Sequence, residues 1–546
     1  MGGSVDLVGS VGLGDSVGLV RKPTTPTKPT TLTKPTTPAP NPYKKENMAN
    51  LKSLAKDTAI YGMSSIVGRF LNYLLVPLYT AKLSAASGGY GVITNVYAYT
   101  ALLMVILTYG METTFFRFAN KENEDPQKVY TTTLISVGFT SLLFIILVLL
   151  FINPISAFMG YSNHESYVWV MAITVAIDAF QCIPFAYLRY KKRPMKFAAL
   201  KMLNIFMAIA LNIVFFLILP NIYEANDGTG AIANIYDPTV GAGYAFYINL
   251  FCSASLTFFF WKELFCQKYS FDMQLLKRMM SYSWPILVLG IAGILNQTAD
   301  KILFPKIYTG ADAHTQLGIY GAASKIAMIM AMITQAFRYA YEPFVFGKSK
   351  DKDNRDTYAK AMKYFIIFTL LAFLVVIGYM DVLRHIIGRD YWEGLKVVPI
   401  VMAAEIMMGV YFNLSFWYKL IDKTIWGAYF SGVGCAVLLA VNIIFVPRYG
   451  YMACAWAGFA GYGTAMVLSY FVGQKKYPIN YPMKEISLYV VITVALYFCM
   501  TAANRNLPLA LALAVNTLLG LLFIAYIIKK DFPLSSLPVI GKRFKK

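Results

Sequence analysis

Residues 129–152 read VYTTTLISVGFTSLLFIILVLLFI, 24 consecutive residues without a charge. As a helix this run is about 36 Å long, enough to cross the ~30 Å hydrocarbon core of a bilayer. Its reading sets the fold class, an all-α polytopic membrane protein. Working outward with charged and Pro/Gly breaks as boundaries, further runs fall near 58–81, 88–115, 166–188, 197–220, 241–261, 280–305, 316–343, 361–380, 394–418, 425–446, 450–472, 485–503 and 507–528. With 129–152 that makes about fourteen transmembrane helices. The chain of 546 residues is 57% hydrophobic and 14% charged, whereas a soluble domain carries about a quarter charged residues. The spans fill nearly everything after Met48, so no room is left for a soluble catalytic domain.

The net charge of +21 raises nucleic acid as a partner, but its distribution argues against one. Lys and Arg recur between apolar runs on alternate sides, as the positive-inside rule requires. With the segment before the first span placed in the cytoplasm, internal segments hold 34 Lys/Arg and external ones 8, while three lie inside spans and four in the N-terminal repeats over 1–42. Both termini are then cytoplasmic. The densest internal clusters are Arg189, Lys191, Lys192, Arg193 and Lys196, then Lys348, Lys350, Lys352 and Arg355, then Lys542 to Lys546. The longest external connection, about 221–240, contains no Lys or Arg.

Residues 1–47 form a low-complexity tail, first Gly/Ser/Val/Leu repeats and then, over 22–42, Lys/Pro/Thr repeats. Such a tail cannot bury a core, and its Pro-rich part is extended and solvated. It reads as a cytoplasmic tether or as a start placed upstream of Met48, where MANLKSLAKDTAIYG opens a normal beginning; the second reading is preferred. The six cysteines and three histidines show neither a disulfide framework nor a metal-ligand spacing. No cofactor is expected.

Spans one to six and seven to twelve read as two copies of one unit. Tyr90-Gly91-Val92 opens the second span and Leu317-Gly318-Ile319-Tyr320 the eighth. Leu211-Asn212-Ile213-Val214-Phe215 is echoed by Val441-Asn442-Ile443-Ile444-Phe445, and each is soon followed by a proline, Pro220 or Pro447. Gly-rich GAGYA at 241 and GYGTA at 461 then fall in the sixth and twelfth spans. A six-span unit gives both copies the same orientation, hence parallel repeats about an axis along the membrane normal, an arrangement of transporters that rock one half against the other. The expected organisation is a tail over 1–47, an N-lobe over 48–278, a C-lobe over 279–474, and two extra spans with a basic tail over 475–546.

Three stretches resemble the polysaccharide-exporter (Wzx-like) branch of the MOP flippase superfamily. They are Tyr109 to Phe118 (YGMETTFFRF), Asp300-Lys301-Ile302-Leu303 with Gly318-Ile319-Tyr320 and Ala323-Ser324-Lys325-Ile326-Ala327, and Asn442 to Gly450 (NIIFVPRYG). The resemblance covers residues 49 to about 530. The chain departs from the family pattern in about twenty extra residues between Pro220 and Gly241, and in YGYMACAWAG after Arg448. What the resemblance implies is a flippase that moves an undecaprenyl-diphosphate-linked oligosaccharide from the cytoplasmic to the external leaflet for O-antigen, capsule or related glycans. It further implies a bacterial cytoplasmic membrane as location. Membrane lipids are expected neighbours, and other polysaccharide-assembly proteins are candidate partners.

An ionisable side chain at bilayer depth costs about 2.5–3.5 kcal/mol on insertion scales, so each needs a reason. Arg69 shares a helical face with Ser65, Asn72 and Tyr73. Arg69 and Asn72 are candidate substrate contacts, since a guanidinium suits a diphosphate; the alternative for Arg69 is pairing with a buried carboxylate. Lys325 is a candidate for substrate contact and also for an ion pair with Asp300, the second being preferred. Lys301 is expected to snorkel to the outer headgroups. Arg338 and Glu342, spaced i,i+4, form a candidate interfacial pair, and Glu112 with Arg117 a similar one. Asp178 and Glu405 occupy matching places in the fourth span of each half, 12 residues before Tyr190 and 13 before Tyr418. They are candidate coupling carboxylates for H+ or Na+, the alternative being hydrogen bonds within the bundle.

The rival reading as a membrane glycan polymerase or ligase needs catalytic groups in a sizeable external loop. Only 221–240 is long enough, and its Glu224, Asp227 and Asp237 lack a basic partner. Within the transporter class the alternative is a cation-coupled drug exporter. The topology has a direct test. Single cysteines placed in 221–240 and 381–393 are expected to react with an impermeant label in intact cells, and those in 191–196 and 348–356 are not. The opposite pattern at either pair would reverse the orientation.

Overall fold

The computed structural model describes residues 67–68, 71, 73–265, 267–347, 354–421 and 423–531, and among them the chain is helical with no strand. The low-complexity tail and most of the first expected span lie outside the described residues. In the first half the principal helices are α1 (Leu75–Lys82), α2 (Gly89–Thr108), α3 (Met111–Ala119), α4 (Pro126–Leu150), α5 (Glu165–Tyr190), α6 (Pro194–Ile213) and α7 (Gly243–Phe258). The second half has α8 (Met273–Ile307), α9 (Ala313–Gly347), α10 (Asn354–Gly378), α11 (Val398–Leu414), α12 (Ile425–Tyr449) and α13 (Tyr451–Lys476). Two further helices follow, α14 (Met483–Asn506) and α15 (Leu509–Lys530).

Eleven helical segments among the described residues are long and apolar enough to cross a membrane. Many show lipid-type exposure: Phe139, Leu142, Ile146, Leu149 and Leu150 of α4 all point away from the protein. Such a face in water would be an aggregation surface; in hydrocarbon it is matched to its solvent. The fourteen expected spans exceed these eleven at three places. The first is largely undescribed, α7 is only 16 residues long, and α13 is diluted by Gly, Ala and Tyr. The dilution in α13 serves packing, because a Cβ on Gly434 of α12 would lie 2.8 Å from the carbonyl oxygen of Gly461.

Local signals set the helix ends. Asp125 accepts from the N–H of Gln127 at 3.0 Å, with Pro126 in the first turn of α4. Asp272 caps α8 by accepting from Gln274 and Leu275, and its carboxylate lies 2.7 Å from Lys128. The Lys128 bond and the capped N–H groups hold the Asp272 carboxyl down at about 2. The YGMETTFFRF stretch is a break between two helices. Tyr109 (φ 32°) and Gly110 (φ 71°) both enter the left-handed region between α2 and α3, and the Ser283 hydroxyl of α8 donates to the Tyr109 carbonyl. A Cβ on Gly110 would press on Ile286 at 2.9 Å, so glycine is required there twice over.

The two ends of the bundle differ. The end carrying residues 84–88, 160–164, 220–242, 308–312 and 384–397 is termed the far end, and the one carrying 120–125, 190–194, 262–272 and 475–482 the basic end. At the far end one buried apolar cluster crosses between the halves, from Leu75, Tyr79 and Tyr90 to Tyr391, Val397 and Tyr451. At the basic end the clusters are separate. Phe115, Tyr130, Ile183 and Phe260 gather with the start of α8, while Tyr341, Tyr358, Phe416 and Ile479 form another group.

Helices α14 and α15 pack against α10. A polar clamp pins them: the Lys363 ammonium, 11% exposed, reaches both Glu485 and Asp531, and the Tyr489 hydroxyl donates to Asp531. Removing one member of a buried pair strands the other. Lys363→Met is therefore expected to destabilise the protein by about 3 kcal/mol, with Lys363→Met/Asp531→Leu recovering part of the loss. Thermal unfolding of the detergent-purified chain reads both, and an unchanged melting temperature for the single variant contradicts the clamp.

Candidate translocation site

The seam at the far end is built from backbone. The two glycines that open the repeated units, Gly91 of α2 and Gly318 of α9, face each other. A Cβ on either would lie 3.0 Å from the amide nitrogen of the other, and one on Gly91 would lie 1.8 Å from the His314 carbonyl oxygen. Only hydrogen at both positions lets the helices approach so closely. Around this contact the Tyr391 hydroxyl donates to the Leu83 carbonyl at 2.6 Å, and the Gly388 N–H to Thr80 Oγ1 at 3.0 Å. Asn95, one helical turn beyond Gly91, donates to the Lys301 carbonyl at 2.7 Å and accepts from the Tyr161 hydroxyl at 2.8 Å.

Directly inside this seam is a charged cluster on α8. The Asp300 carboxylate is buried and accepts from the Lys301 ammonium at 3.0 and 3.1 Å and from the Tyr320 hydroxyl at 2.7 Å. Lys301 therefore occupies the place given to Lys325 in the expected Asp300 pair, and does so instead of reaching outward. The reason is register. Tyr320 of α9 meets the carboxylate, and Lys325 lies five residues further along the same helix, about 7.5 Å deeper. Among the described residues Lys325 has no carboxylate within ion-pair distance. Lys301 is near enough to both Lys325 and Glu405 for its charge to act on each.

The matched carboxylates diverge. Asp178 of α5 accepts from the Ser253 hydroxyl of α7 at 2.7 Å. Glu405 of α11 is half-buried and, among the described residues, has no hydrogen-bond donor. Helix α5 packs chiefly on α2, α4 and α7, and α11 on α9, α10 and α13, so the structure does not bring the two carboxylates together. The Arg338 guanidinium stands over the Phe412 ring at 5.1 Å; the side chain of Glu342 lies outside the described residues, as do Arg69 and Asn72. The expected Glu112–Arg117 pair is replaced: Glu112 pairs with Arg189 of α5, and Arg117 stacks on Tyr282 at 4.1 Å. Asn212 and Asn442, set at matching places by the sequence, are both buried and donate to the carbonyls four residues earlier at 2.7 and 2.9 Å. Sequence reasoning missed Asn95, Tyr161 and Tyr320. Asn95 carried a signal, a polar side chain in an apolar span on the face of Gly91.

At the basic end the start of α8 and the segment leading into it are tied back to the first half: Lys128 to Asp272 at 2.7 Å, and Arg278 to Glu124 at 2.5 Å. The halves are thus joined at the far end, with separate cores at the basic end.

This arrangement has known counterparts. A family model described as "Polysaccharide biosynthesis protein" matches residues 54–340. The chain belongs to that family. No curated protein matches it in sequence. Among solved structures it is similar to a lipid II flippase, MurJ, in an inward closed conformation, at TM-score 0.64 and 14% identity, covering 86% of this chain and 98% of that one. It is also similar to an inward-facing multidrug resistance MATE family transporter of the MOP superfamily, at TM-score 0.57 and 15% identity, covering 77% and 94%. The MATE multidrug transporter DinF-BH gives TM-score 0.54 and 15% identity over 77% and 95%. The family member described here therefore has the MOP-type transporter fold.

The seam makes a sharp forecast. Gly91→Val is expected to hold the far end apart, raising hydrogen–deuterium exchange over 308–320. Gly458→Val, where a Cβ meets nothing within 4 Å, is expected to leave that exchange unchanged. Equal exchange in both variants would remove the glycine contact from the closure.

Proposed function

We propose that this family member is a non-enzymatic flippase that moves an undecaprenyl-diphosphate-linked oligosaccharide across the bacterial cytoplasmic membrane, for polysaccharide biosynthesis of the O-antigen or capsule type. The observation that carries this reading is the far-end seam, with a charged cluster beneath it and separate cores at the basic end, in a chain of the polysaccharide biosynthesis family. The greater structural likeness to a lipid II flippase than to the drug transporters supports the lipid-linked substrate. With the basic end in the cytoplasm, the polar head of the substrate enters between the halves there. Polar side chains replace its hydration while the polyprenyl tail stays in the bilayer. Closing the basic end and parting the glycine seam then releases the head outside. In this scheme Arg69, Asn72 and Lys325 contact the diphosphate or sugars. Asp178 and Glu405 couple the cycle to H+ or Na+, with Glu405 the better placed because no neighbour among the described residues satisfies it.

Reconstitution decides between this and a drug exporter. Proteoliposomes holding the purified chain are expected to move a fluorescent undecaprenyl-diphosphate oligosaccharide between leaflets, read by an impermeant quencher. Transport of an organic cation such as a rhodamine dye without glycan movement would establish the exporter instead, and lengthened glycan product would establish a polymerase. Arg69→Ala is expected to abolish glycan movement at normal protein level, with Arg69→Lys restoring part of it because lysine keeps the charge and loses the bidentate geometry. Full movement by Arg69→Ala excludes that residue from the mechanism.

A further inference from the structure

At the basic end of the first half, away from the seam, the helix ends enclose a cavity of about 500 Å³ lined by Tyr187, Leu188, Lys191, Arg193, Lys262, Glu263 and Gln267. Its polar groups divide into two sets. The first is internally satisfied. Glu263 is buried and receives Lys196 Nζ at 2.8 and 2.7 Å. Gln267 accepts from Gln127 at 2.9 Å and donates to the Lys262 carbonyl at 2.8 Å. The Tyr187 hydroxyl donates to Gln127 at 3.2 Å. The second set is Lys191, Arg193 and Lys262, which among the described residues have no carboxylate partner. The only acid in the wall is already neutralised, so the cavity carries an uncompensated positive charge.

The backbone holds two of these cations in place. Helix α5 ends with Lys192 in the left-handed region (φ 51°), the Lys192 N–H bonded to the Arg189 carbonyl and the Arg193 N–H to the Leu188 carbonyl. That is a Schellman closure made without glycine. Arg193 then precedes α6, whose first turn has Pro194 and no side-chain cap. The N-terminal dipole of a 20-residue helix adds to the positive field at the cavity wall. Lys191 is steadied over the Tyr187 ring at 5.3 Å.

The cavity opens beside a lipid-type surface. Trp261 and Phe265, 59% and 66% exposed, pack together at 4.4 Å, and Met195 is 70% exposed. A phosphate with apolar chains attached matches both features, and a free anion matches only one. We propose that this cavity binds the phosphate of an anionic phospholipid headgroup, with Lys191, Arg193 and Lys262 on the phosphate and Trp261 and Phe265 along the acyl chains.

The test uses the full-length chain, purified in detergent and titrated with phosphatidylglycerol or phosphatidylcholine, bound lipid being counted by native mass spectrometry. Phosphatidylglycerol is expected to bind in preference. Lys191→Gln/Arg193→Gln/Lys262→Gln is expected to weaken that binding by more than about tenfold, since each basic residue near anionic lipid contributes about 1 kcal/mol. Lys191→Arg/Lys262→Arg keeps the charge and is expected to keep the binding, which a folding defect would not allow. Lys475→Gln/Lys476→Gln, at the basic end of the other half, is expected to bind as the parent. The proposal is overturned if the triple variant retains the preference, or if the Lys475/Lys476 control loses as much. It is also overturned if millimolar inorganic phosphate displaces the lipid, which would make the site one for free phosphate.

Discussion

Two helix backbones pass within contact of each other at Gly91 and Gly318, and the far end of the molecule is organised around that approach. The helices α2 and α9 come from different halves of the chain, so the contact sets the distance between the halves. Once it is made, Tyr391 reaches Leu83, Asn95 reaches the Lys301 carbonyl, and an apolar cluster closes across the junction. A side chain at either glycine would hold the backbones apart and leave those donors short of their acceptors. Between helices in lipid there is little hydrophobic driving force, so small residues that permit close packing and interhelical hydrogen bonds carry the association.

The charged cluster beneath the seam follows from the same approach. Asn95 binds the carbonyl of Lys301, fixing the α8 backbone at the point where Asp300 and Lys301 project. Tyr320, two residues after Gly318, takes the second carboxylate oxygen. The carboxylate is thus fully partnered, while Glu405 and Lys325 near it are without such partners among the described residues. Its donors are the Lys301 ammonium, the Lys301 backbone N–H at 2.9 Å and the Tyr320 hydroxyl.

Much of the architecture is legible in the amino-acid order. The length of the apolar runs, such as 129–152, dictates helices because hydrocarbon offers no partner for a free backbone group. The repeat of Tyr90-Gly91-Val92 by Leu317-Gly318-Ile319-Tyr320 points to two related units, and the paired asparagines Asn212 and Asn442 make the same local bond in each. The family resemblance, drawn from YGMETTFFRF and the stretches around Asp300 and Asn442, agrees with the family match.

What the sequence determined alone is whatever depends on one segment at a time: the length of the apolar runs and the charged and Pro/Gly breaks that separate them. The break at Gly110 falls inside the expected span 88–115 and became visible only in the structure, where Ser283 and Ile286 of α8 pack against it. Partner choice, too, was not a property of one segment. Asp300 looked matched to Lys325 because both lie near the ends of consecutive spans, but the pair is set by the rotation and depth of α9 against α8, which brings Tyr320 to the carboxylate. Glu112 found Arg189 rather than Arg117 for the same reason. The meeting of Gly91 with Gly318 is likewise a property of two helices packed together. Helix periodicity records which face a residue is on; only tertiary packing decides which face of another helix it meets, and at what height.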